Sequence, residues 1–277
     1  MIASIALVGL MTFSAPSLLA GDVTLVSEGY MFSEGPVWID GEGLVFSDVR
    51  GDTLYHADKS VYRKPSNNTN GLALDQQGRL IACESGLKRI TRTEADGSIT
   101  VLADSFNGKS LNSTNDVAVR SDGSIYFTDP GATKKTELST NGVYRIDPET
   151  GDLSELSTTA RYPNGIGFSP DEKTLYVADF MGGVIRQFDV ADDGSVSNER
   201  TFCKVANPDG FALDEEGNLW TADRNGIAVY DSNGKLLENF EVPMKPTNCT
   251  FGGEDGKTLF ITARKGVFKV KTTVKGL

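Results

Sequence analysis

Six short segments of the chain open on a carboxylate or a carboxamide in the same register: Glu34, Asn70, Asn115, Asn164, Asp209 and Asn248. Oxygens of these two side-chain types are hard donors that suit calcium or magnesium, and they offer little to metals that seek thiolate or imidazole. Glu34 and Asp209 supply the negative charge that would neutralise a dication. Each segment continues as a β-rich run, a Gly/Asp turn and a second β-rich run. The second run closes 14 or 15 residues on with another acid in five copies: Asp48, Glu84, Asp129, Asp179 and Asp223. Asn-Gly and Asp-Gly pairs can mark turns, because Asn, Asp and Gly tolerate left-handed backbone. The obvious turn residues lie elsewhere, however, at Asp75 to Gly78, Asp122-Gly123, Asp214 to Gly217 and Asp255-Gly256. The six leading residues are therefore read as a functional ring. The five closing acids are read as turn caps in preference to groups that orient ligands.

Residues so far apart in sequence need a repeating fold to gather them. The copies begin at 34, 70, 115, 164, 209 and 248, a period long enough for four short strands. Further strand candidates lie between the hairpins, at Gly142 to Ile146 and Val184 to Phe188, and no long stretch keeps a 3.6-residue apolar period. This predicts an all-β chain, a six-bladed β-propeller with four-stranded blades. Val23 to Val26, ahead of the first copy, is expected to pair with the last blade and close the ring. Rotation about the propeller axis then brings the six leading residues to one mouth of the central channel.

Composition bounds the partners. The 277-residue chain has 39% hydrophobic and 23% charged residues, enough apolar material for a substantial core. Its formal charge of −11 repels phosphate backbones and attracts cations, which argues against nucleic acid. Residues 1–20 are uncharged and apolar, ending in Ser17-Leu18-Leu19-Ala20. They are read as an export signal cleaved near Ala20, leaving one domain over 21–277, periplasmic or secreted, with no stable membrane association; an uncleaved anchor is the rival. Cys83, Cys203 and Cys249 allow at most one internal bridge. The sole histidine, His56, is assigned to surface or packing, and one histidine excludes a His-pair mechanism.

Five stretches carry a resemblance: Glu34-Gly35-Pro36-Val37-Trp38, Leu111 to Val117, Tyr126-Phe127-Thr128-Asp129-Pro130, Tyr162-Pro163-Asn164-Gly165-Ile166 and Pro208-Asp209-Gly210. In content and order they resemble the gluconolactonase/SMP-30 (regucalcin) family over nearly all of the chain after residue 20. The resemblance implies a six-bladed propeller with a divalent cation in the channel: calcium, or another dication such as zinc, magnesium or manganese. It implies hydrolysis of a small-molecule sugar lactone, with organophosphate hydrolysis or a non-catalytic calcium-binding propeller as alternatives. By position Glu34, Asn164 and Asp209 match the metal ligands, Asn115 an amide at both metal and substrate, and Asp209 also the acid/base residue. Ser113 occupies the substrate-binding position where some members have arginine, and Lys109 is only a distant substitute.

Overall fold

A computed structural model describes residues 17–132 and 134–277. Most of the expected export signal lies outside the described residues. Its last four positions, Ser17 to Ala20, lie against the body: Leu18 N–H donates to Glu238 Oε2 at 2.7 Å, and Ala20 N–H to the Lys271 carbonyl at 2.8 Å.

The described residues form an all-β propeller without helix. Four sheets of four antiparallel strands each follow from four of the repeats. The first runs Thr69–Leu74, Leu80–Glu84, Arg89–Thr93, Ile99–Ala103, and the second Val117–Val119, Ile125–Asp129, Gly142–Ile146, Leu153–Ser157. The third runs Pro163–Phe168, Thr174–Asp179, Val184–Val190, Val196–Lys204, and the fourth Phe211–Leu213, Leu219–Ala222, Ile227–Tyr230, Leu236–Phe240. A two-stranded ribbon, Ser105–Phe106 with Lys109–Ser110, stands outside the sheets.

The expectation of six separate blades is corrected here, because strand pairing gives five blades instead. The first and last repeats are fused into one six-stranded sheet through two long strands, Thr24–Ile39 and Thr258–Lys271. Thr24–Ile39 pairs with Gly43–Asp48 through its second half and with Thr258–Lys271 through its first, Thr24 opposite Lys269 and Leu25 opposite Phe268. The predicted closure by residues 23–26 is made in this way. A repeat-by-repeat reading of the sequence has no signal for a strand shared between two repeats.

Apolar side chains fill the spaces between successive repeats. Val37, Val45 and Leu54 meet Leu72, Leu80 and Ala82, and Ile81, Cys83 and Ile90 meet Val117, Phe127 and Tyr144. Trp220 and Val229 meet Phe251, Leu259 and Ile261, while Tyr30, Leu44 and Phe46 meet Phe260 and Val267 inside the fused sheet. Strands covered on both faces read as nearly continuous apolar runs, as Leu80–Glu84 and Ile125–Asp129 do. All three cysteines are free and buried in these layers, so none forms a bridge.

Candidate functional site

The leading residues of the repeats stand on, or just before, the innermost strand of each sheet. Those inner strands are tied around the channel: Gly71 N–H donates to the Asn115 carbonyl at 2.7 Å, Gly165 N–H to Asp209 at 3.1 Å, and Gly210 N–H to Thr247 at 2.8 Å. Hydroxyls on second strands add to the ties, Ser47 Oγ donating to the Asn70 carbonyl at 2.8 Å and Thr128 Oγ1 to the Asn164 carbonyl at 2.7 Å. Such close approach explains the glycine after the ring residue. A Cβ on Gly35 would stand 2.0 Å from the Asn70 oxygen, and one on Gly210 2.0 Å from Cγ of Asn248. Asn70-Gly71 and Asn164-Gly165 thus lie within strands, not turns, and their glycines let one backbone approach the next. Register shifts at Glu34/Val37, Thr69/Leu72 and Pro163/Ile166 break the pairing at this level. Bulges of this kind re-aim side chains, here at the ring.

Glu34, Asn164 and Asp209 are all buried, and Asp209 lies near enough to both of the others to feel the Asn164 amide and to repel Glu34. The Asn164 amide lies close enough to the Asp209 carboxylate to favour its ionised form. Burial first, then the neighbouring charges of Asp209 and Asp116, push the Glu34 carboxyl well above its ordinary value. Burial likewise raises Asp209 to about 7, while Lys245, the Asn164 amide and Arg264 pull it down and Asp116 pushes it up. Asn115 joins the ring through its main chain, and its half-buried side chain makes no hydrogen bond among the described residues. Ser113 is held beside it by its N–H, which donates to Asp129 Oδ1 at 2.7 Å, while Lys109 lies exposed on the separate ribbon.

The closing acids mostly cap turns. Asp48 accepts the N–H groups of Met31, Phe32 and Gly51, and Asp223 those of Asn225 and Gly226. Glu84 pairs with Arg63 and Arg89, and Asp179 with Arg186. Asp129 has no arginine partner among the described residues; burial raises it to about 6, and it holds the N–H groups of Asn112 and Ser113. His56 packs edge-on against Tyr62.

Asp116 is a ring-level acid that the repeat pattern does not single out. It is buried, accepts a hydrogen bond from Asn248 Nδ2 at 3.2 Å, and is raised to about 7, chiefly by burial. The available signal is its place in the repeat, where Gly35, Gly71, Gly165 and Gly210 occupy four other copies. Below the ring a cavity of about 420 Å³ runs along the inner strands, with Asp116 and Asn248 at ring level and Glu172 and Leu277 away from it.

The buried carboxyls of Glu34, Asp209 and Asp116 repel one another and are costly to ionise together, and a cation near them would relieve that cost. No group of three His, Cys, Asp or Glu side chains arranged to hold a metal occurs among the described residues. The donor set is instead two carboxylates, Glu34 and Asp209, with the Asn164 amide. All are oxygen donors, and they fit a hard dication.

Comparison with known proteins places the chain in a family. Residues 32–265 match the family described as SMP-30/Gluconolactonase/LRE-like region. A gluconolactonase of Zymomonas mobilis is 31% identical, over 92% of this chain and 82% of its own length. A solved gluconolactonase from Xanthomonas campestris is 36% identical with a TM-score of 0.85, covering 92% of this chain and 91% of that one. The fold is also shared with a calcium-binding regucalcin from Agrobacterium tumefaciens, at 23% identity and a TM-score of 0.79 over 94% of this chain and 96% of that one. The chain belongs to the SMP-30/gluconolactonase/LRE-like family.

Proposed function

We propose that the chain is a hydrolase that opens a lactone at the channel mouth, with a divalent cation held by Glu34, Asn164 and Asp209. The observation that carries this reading is the meeting of those three buried oxygen donors in a chain that matches gluconolactonases over most of its length. A bound dication supplies Lewis-acid polarisation of the lactone carbonyl and steadies the charge that builds on its oxygen. The side chains do the rest. Asp209, buried beside the Asn164 amide, draws a proton from the attacking water and returns it to the ring oxygen as the C–O bond breaks, giving the open hydroxy acid. Asn115 and Ser113, at the mouth beside Asp129, position the substrate hydroxyls. Calcium is the first candidate for the ion, because carboxylate and amide oxygens are its usual ligands.

We also infer that the exported chain begins near Gly21; intact mass of the native protein tests it, and a retained Met1 would count against it.

The test of function is a panel of aldonolactones and aryl esters assayed with and without chelator. Lactone turnover that chelator abolishes and calcium restores is expected. A cation that changes only melting temperature, with no turnover of any substrate, would favour a structural role instead.

A further inference from the structure

The channel mouth is bordered by cations that make no close ion pair among the described residues, although Lys245 and Arg264 lie near enough to Asp209 to lower its carboxyl. Eight of the twelve arginines form ion pairs. The other four, Arg50, Arg161, Arg224 and Arg264, make none among the described residues, and all four stand at the mouth end. Arg50 follows Asp48 by two residues, Arg224 follows Asp223, Arg161 precedes Asn164 by three, and Arg264 lies opposite Ser33, next to Glu34. Met31, Phe32, Arg50, Met244, Arg264 and Lys265 line one hollow of about 420 Å³ there. Its aromatic wall is already engaged by charge, with the Arg50 guanidinium 5.1 Å from the Phe32 ring centre. Nearby, the Lys245 amine lies 5.5 Å from that of Phe180.

This placement is odd for a chain of net charge −11 whose ring is read as a cation site. Free arginines and lysines beside the ring oppose a dication, and a neutral sugar lactone gains little from them. An anionic group gains charge-assisted hydrogen bonds from the planar guanidinium fork, and its approach is steered by the same field. We propose that the lactone taken at this mouth carries a separate anionic group, a phosphate or a carboxylate, seated in the hollow against Arg50, Arg264 and Lys265. The inference rests on the lactone-hydrolase reading of the ring and concerns the part of the substrate that does not react.

The test compares D-glucono-1,5-lactone with its 6-phospho counterpart and with a lactone bearing a uronic carboxylate, in the wild type and in the Arg264→Ala/Lys265→Ala double variant. One of the anionic lactones is expected to be preferred by about tenfold in kcat/KM, since exposed charge pairs each contribute modestly. Which one wins separates phosphate from carboxylate. The preference should fall toward one in the double variant and at high salt. A ratio near one in the wild type, or a ratio that the double variant leaves intact, overturns the proposal. Calorimetric binding of 6-phosphogluconate and of glucarate to metal-stripped protein gives a readout independent of turnover. If no lactone of any charge is hydrolysed, the hydrolase reading fails by itself and this binding decides the rim. Binding of one anion that weakens about tenfold in the double variant supports it, and binding unchanged or absent for both overturns it.

Discussion

Asn248 Nδ2 donates to Asp116 Oδ2 at 3.2 Å, joining residues 132 positions apart at ring level of the channel. The bond stabilises the Asp116 carboxylate, yet burial outweighs it and the group titrates at about 7. Asp209 titrates there too, for the same first cause.

Stability of the metal-free protein should therefore fall as pH rises from about 4 to about 7. Between an ordinary aspartate value near 3.9 and the folded value, the folded state holds a proton that the unfolded chain has released, so raising pH favours unfolding. Acids whose folded values are lowered give the opposite slope, so the diagnostic is a difference between proteins. Asp116→Asn should flatten the decline relative to wild type, measured by urea unfolding of chelator-treated protein across that range. Parallel curves would show that Asp116 does not carry the proton.

Asp209→Asn should lower lactone hydrolysis by about 10²–10⁴, the usual scale for losing general acid/base assistance. Asn keeps a carbonyl oxygen for the cation but cannot accept the proton. Glu34→Gln removes the other ring charge without touching the proposed base, so excess calcium should restore much of its activity. Steady-state assays over a calcium series compare the two, and equal rescue of both variants would reduce Asp209 to a ligand.

Gly71→Ala should destabilise the fold by about 1–3 kcal/mol, the ordinary cost of overpacking. Its new Cβ would fall 2.4 Å from Asp116 Oδ1 and 2.7 Å from the Asn115 carbonyl oxygen, where neither backbone nor ring has room. Thermal and urea melts check this, and an unchanged midpoint would mean that the glycine serves only as a flexible joint.

The repeat makes the ring legible in the sequence, because register alone assigns Glu34, Asn164 and Asp209 to one end of one channel. The turn-capping roles of Asp48 and Asp223 follow from that register too. What strand pairing decides is not legible there: Thr24–Ile39 serves two repeats and joins what the repeat count separates into two blades. Asp116 escapes notice because an acid beside Asn115 reads as ordinary turn chemistry until the neighbouring strand is seen against it. The cations at the mouth are hidden for a related reason, since sequence shows that Arg264 exists but not that it makes no close ion pair among the described residues.

The most direct measurement is calorimetric titration of metal-stripped protein with calcium, run alongside recovery of lactone hydrolysis. One cation per chain is expected, with activity returning in proportion to occupancy, and with binding strongly weakened in both Glu34→Gln and Asp209→Asn. Full hydrolysis by the metal-stripped protein, or calcium binding that neither substitution disturbs, would contradict a catalytic cation held by this ring.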